Sequence, residues 1–109
     1  MKKFIVIAYA PFSAVEMMSK ATPEQMKKSM EPWMKWMNKV GSALVDMGTP
    51  LGNGQNVSKK GNSPSKKNVA GYMMIQAEDM KKALSLVKNH PHLDFDAACE
   101  IEVYECMPM

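Results

Sequence analysis

Arginine is missing from this chain altogether: all fourteen of its basic side chains are lysine. Arginine's planar fork suits bidentate recognition of phosphates and base edges. Its absence argues against specific reading of nucleic acid, although lysines alone bind phosphate backbones without sequence preference. Cysteine is scarce too. Cys99 and Cys106 are too few for a disulfide framework. On a shared strand they would lie about 23 Å apart and face opposite ways, out of reach of a bond with each other. A reducing cytoplasm is the compartment that such usage fits. No run approaches the roughly 20 apolar residues of a membrane span, so no membrane partner is expected. The opening Met1–Ala10 mimics a signal peptide, with lysines ahead of an apolar run. That run is short, rich in β-formers and without a small-residue cleavage pattern before Pro11, so a first strand is expected. Also missing are a CxxC pair, a Ser-His-Asp order, a glycine-rich phosphate loop and a cofactor fingerprint, so neither cofactor nor metal is expected.

What is present describes one soluble α+β domain spanning 1–109, with hydrophobic residues at 46% and charged residues at 23%. Val69–Ala77 is apolar at nearly every position, as a strand covered on both faces is. Phe4–Ala10 reads the same way. Pro11–Ala21 reads as a connection whose Val15, Met17 and Met18 could fold back onto the body. Thr22, Pro23 and Gln25 form a helix start with a capping box. From there Met26, Met30, Trp33, Met37, Val40, Leu44 and Met47 recur at helical steps, which predicts one long docked helix. A kink is expected near Pro32 and a stop at Gly48. Leu51–Ser58 reads as a weak edge strand and Lys59–Asn68 as a polar, basic loop. Glu78 or Asp79 caps a second helix, with Met80, Ala83, Leu84 and Val87 as its buried face and Pro91 at its end. Cys99–Cys106 is a last strand with an acidic face at Glu100 and Glu102.

The order strand, helix, strand, strand, helix, strand matches a ferredoxin-like split β-α-β (βαββαβ). It predicts a four-stranded antiparallel sheet in the order 4-1-3-2 with both helices on one face. The other face of strands one and three is then bare and apolar, and a second copy is its simplest cover.

The run Thr22-Pro-Glu-Gln-Met-Lys-Lys-Ser-Met-Glu-Pro-Trp-Met-Lys-Trp-Met37 resembles the first-helix signature of YCII-related proteins, including their DGPF-type branch. Gly71-Tyr72, Ile75-Gln-Ala-Glu-Asp79, Ala83-Leu84, His90-Pro-His-Leu93 and the tail from Ile101 continue the resemblance along nearly the whole chain. It implies a ferredoxin-like fold that dimerises into an α+β barrel. Asn62-Ser-Pro-Ser65 stands where Asp-Gly-Pro-Phe names one branch. No histidine precedes His90, so the first-helix histidine of a His–Asp pair found in some relatives has no counterpart here.

Chemistry-bearing residues are few. His90, His92, Asp94 and Asp96 fall close together, and three readings stay open. They form a helix terminus and pocket wall, an acid–base pair of His90 or His92 with Asp94 or Asp96, or a metal site without a specific zinc spacing. Tyr9, Trp33, Trp36 and Tyr72 are candidate ligand-binding aromatics for a small aromatic or quinone-like molecule, with the helix core stripe the favoured place for Trp33. Thirteen methionines fall mostly at core-like spacings. The leading functional expectation is a small-molecule-binding homodimer with its pocket between sheet and helices. The alternatives are a cofactor-free lyase or isomerase using a His–carboxylate pair, and an interaction protein docking through its basic 59–68 loop, which carries Lys59, Lys60, Lys66 and Lys67.

Overall fold

Phe4 and Val6 are buried while Ile5 and Ile7 are only half so, the period-two pattern of a strand with unequal faces. The computed structural model describes residues 1–11, 22–95 and 98–108, without the side chains of Met26, Ser29, Asp94 and Phe95. The expectations for Pro11–Ala21 beyond Pro11, for Met26 in the helix stripe and for Asp96 therefore lie outside the described residues.

Strand β1 (Lys2–Tyr9) is central, between β5 (Val69–Ala77) and β6 (Glu100–Glu105), with β2 (Leu44–Asp46) beyond β5. All pairings in this four-stranded sheet are antiparallel. Register puts Phe4 opposite Ile75 and Val6 opposite Met73, and these four meet Trp36, Val40, Ala83 and Val87 in one apolar core. Residues of both longer helices thus pack on the same side of an α+β sheet.

Helix α1 (Pro23–Val40) opens with the expected box: Gln25 N–H donates to Thr22 Oγ1 at 3.2 Å and Thr22 N–H to Gln25 Oε1 at 3.0 Å. It runs on through Pro32 and ends earlier than the stripe suggested, at Gly41, whose φ of 60° suits glycine. A 3₁₀ turn (Gly41–Ala43) redirects the chain into β2, where Leu44 pairs with Ile75. A core residue four places after Val40 satisfies a helix and a strand equally, so periodicity could not separate them. Gly48, expected as the helix stop, instead lies against the backbone of β5 at φ 66°, where a Cβ would overlap the Tyr72 carbonyl.

The expected edge strand at 51–58 is therefore corrected: β2 and a Pro50–Gly71 bridge occupy that edge. β3 (Gln55–Ser58) and β4 (Gly61–Pro64) form a separate two-stranded hairpin, exposed throughout, so the supposed loop 59–68 contains a strand. Its one large apolar side chain, Val57, is 78% exposed and gives it no anchor in the core.

Asp79 caps α2 (Met80–Val87), accepting from Lys82 N–H at 2.8 Å. Ala83 and Val87 are buried, but Met80 and Leu84 are exposed, contrary to expectation. Trp36 Nε1 donates to the Leu86 carbonyl at 3.1 Å and ties α1 to the end of this helix. A short α3 (His92–Phe95) precedes β6, whose Glu100, Glu102 and Tyr104 are exposed while Ile101 and Val103 pack against the core. Cys99 is buried and Cys106 exposed, and they are not joined by a disulfide. On the sheet face away from the core, Ile5, Ile7, Tyr72 and Met74 are half-buried. No helix among the described residues is long and apolar enough to cross a membrane.

Candidate functional site

A tight chain reversal after α2 places the first histidine. His90 N–H donates to the Val87 carbonyl at 3.0 Å, and Leu93 N–H donates to the His90 carbonyl at 3.1 Å as α3 begins. Pro91 between them cannot extend α2. The His90 ring is driven inward until it is 1% exposed. It stands perpendicular to Trp33 at 4.6 Å between ring centroids and tilted on Trp36 at 4.7 Å.

Hydrogen bonds settle both tautomers. The His92 backbone N–H donates to His90 Nδ1 at 3.1 Å, so in the neutral ring the proton is on Nε2. His90 Nε2 is buried and meets no hydrogen-bond acceptor among the described residues. Burial, with a smaller contribution from the neighbouring His92, lowers the His90 pKa to about 4, so the ring is neutral at neutral pH. His92 Nε2 lies 2.7 Å from the Tyr9 backbone carbonyl, an acceptor only, and is therefore a donor.

Both histidines border a cavity of about 310 Å³ between the sheet and α1. Val6, Ala8, Gly71 and Met73 form its sheet wall, Met30, Trp33 and Met37 its helix wall, and Met47–Pro50 its lip. The lining is mostly apolar, the usual character of a small-molecule site. A shallower depression of about 410 Å³ beside α2 is lined by the exposed Leu84, Lys88 and Leu93 and lies open to solvent.

The candidates from sequence are thus divided. Trp33, His90 and His92 border the cavity, and Tyr72 belongs to its sheet wall although its side chain is on the opposite sheet face. Trp36 does not; it is 5% exposed and serves as a structural link to Leu86 and a platform for His90. Tyr9 contributes its carbonyl to His92, while its hydroxyl bonds Glu102, which raises the phenol's pKa. Glu102 acts likewise on Tyr104. The Asp94 side chain lies outside the described residues. Among those described, no three His, Cys, Asp or Glu side chains gather to hold a metal ion. Met30, Met37, Met47 and Thr49 were not read as site residues. The methionine excess was the available signal, because Met also lines adaptable binding surfaces.

Chemically, the arrangement offers a fixed donor more readily than a base. His90 Nε2 already carries its proton, and the Nδ1 lone pair is engaged by the His92 backbone N–H. A scan of the chain against protein-family models finds no match, and a search among curated proteins finds none.

Proposed function

We propose that this chain is a small-molecule-binding protein whose ligand occupies the cavity between the sheet, α1 and the His90–His92 turn. One observation carries the reading: a largely apolar chamber of about 310 Å³ lies between the sheet and α1, with the buried His90–His92 turn in its wall. Apolar walls with a few polar groups at one end are the usual character of a small-molecule site. The low His90 pKa favours binding over acid–base turnover, because so weak a base with its proton already in place abstracts little.

The four sheet strands and two longer helices, taken in chain order, suit a ferredoxin-like split βαββαβ, and with the YCII-like motifs they support that assignment. We place a second copy of the chain on the open sheet face, where Ile5, Ile7, Tyr72 and Met74 are half-buried in the single chain. Light scattering at micromolar concentration should give twice 12.2 kDa; a clean 12.2 kDa species contradicts the homodimer.

A thermal-shift screen of small aromatic and alicyclic compounds tests the binding reading. Hits should raise Tm in the wild type and lose that effect in Ala8→Leu, whose added side chain fills the chamber. Hits that stabilise both proteins equally would place binding elsewhere.

A further inference from the structure

The outer edge of the sheet carries two features that the cavity does not use. Strand β6 is the last strand on its side of the sheet among the described residues. Cys106 N–H donates to the Lys3 carbonyl at 2.9 Å, so Tyr104, Glu102 and Glu100 turn their backbone groups inward, toward Ile5, Ile7 and Tyr9. Inward and outward groups alternate in an antiparallel pair, which leaves the N–H and C=O of Ile101, Val103 and Glu105 pointing to the outer edge. Beside that edge lies the open depression of about 410 Å³. Leu84, Val87, Leu93, Ile101 and Val103 line it, with Lys88 as the charged member of its wall. Leu84 is 51% exposed and Leu93 38%, so apolar surface and outward strand groups stand side by side.

We propose that this edge binds an extended segment of a partner protein that alternates apolar with basic side chains and adds to β6 as an antiparallel strand. Every pair in the sheet is already antiparallel, and main-chain bonds to Ile101, Val103 and Glu105 supply the ladder. Side chains of the added strand point alternately to the two faces of the sheet. On the core side they meet the depression, whose lining takes apolar groups. On the other side they come alongside Glu100 and Glu102, both exposed, where lysine or arginine pairs favourably across the strands. A second copy is the poorer occupant of this edge. Pairing β6 with itself brings Glu100 and Glu102 of each chain beside those of the other. The face given above to a second copy is centred on β1 and β5, with β6 only its rim, so the two occupants take different surfaces.

Labelled peptides titrated into the whole protein and followed by fluorescence anisotropy test the edge. The first is Lys-Val-Lys-Ile-Lys-Val-Lys and the second has glutamate for every lysine. Two more are the basic peptide N-methylated either at its apolar residues or at its two inner lysines. The basic peptide should bind about tenfold more tightly than the acidic one. An antiparallel strand directs the N–H groups of its apolar residues at β6, so methylating those should abolish binding, and methylating the lysines should not. Leu84→Ser and Glu102→Lys replace exposed side chains, and each should weaken the basic peptide about fivefold; Glu102→Lys should also strengthen the acidic one. Should either variant not fold, amide exchange in the wild type decides. Bound basic peptide should slow Ile101, Val103 and Glu105 and leave Glu102 and Tyr104 unchanged. Equal binding of the basic and acidic peptides, equal loss from the two methylation patterns, or no binding would overturn the proposal. So would the same slowing in the protein alone, which would assign the edge to a second copy.

Discussion

The backbone N–H of His92 donates to Nδ1 of His90 at 3.1 Å, and this one bond decides which nitrogen of a buried ring carries its proton. Two residues apart in sequence, the pair converts a turn into a fixed hydrogen-bond donor. The electrostatic consequence can be measured. His90 has a pKa of about 4 when folded, against 6.5 for an ordinary histidine. The unfolded chain therefore binds the extra proton first as pH falls. The contribution of neutral His90 to stability is full above about pH 6.5, declines as pH falls, and is gone below about pH 4. Over that window the loss is on the order of 3 kcal/mol. Histidine ring NMR should show His90 unprotonated at pH 5. Titration near 6.5 would mean that the ring is solvated.

Trp36 should act on stability rather than on binding. Trp36→Phe removes the donor to the Leu86 carbonyl and is expected to cost about 1–2 kcal/mol in urea unfolding. Ligand affinity should change less than threefold, since Trp36 does not border the chamber. A large affinity loss with unchanged stability would make it a ligand contact.

Met30 and Ile75 should respond to charge in opposite ways. Met30 is 51% exposed at the cavity rim, whereas Ile75 is fully buried in the core. Met30→Asp should stay folded at a cost of about 1 kcal/mol or less, yet weaken ligand binding. Ile75→Asp buries an unpaired carboxylate and should unfold the domain. Circular dichroism melts compare the two directly, and an unfolded Met30→Asp would mean that α1 packs more tightly than described.

Much of the fold was legible because local chemistry was unambiguous. Thr22-Pro-Glu-Gln gives a capped helix start, and Val69–Ala77 forms a central strand as its apolar run predicts, with its core-facing residues buried and its other face half-buried. The turn from α1 into β2 was not legible. Leu44 lies four residues beyond Val40, so the core pattern continues while the backbone changes from helix to strand. The exposed hairpin was missed because it buries nothing and leaves no hydrophobic period to read. In the site, the two histidines stood out as a cluster. Their division into a donor and its support depends on hydrogen bonds to backbone groups, Tyr9 among them, eighty-three residues from His92. Spacing carries no trace of that contact. The methionines at the rim were given to the core because their steps along α1 serve either purpose.

The same methionines provide the most direct measurement of where a ligand binds. Met30, Met37, Met47 and Met73 border the chamber, whereas Met74 lies on the opposite sheet face and Met80 and Met107 are exposed elsewhere. In protein labelled with ¹³C at the methionine methyls, a ligand found by the thermal-shift screen should shift the first four signals and leave Met74, Met80 and Met107 in place. Shifts confined to Met74, Met80 or Met107, with the four cavity methyls unmoved, would contradict the account.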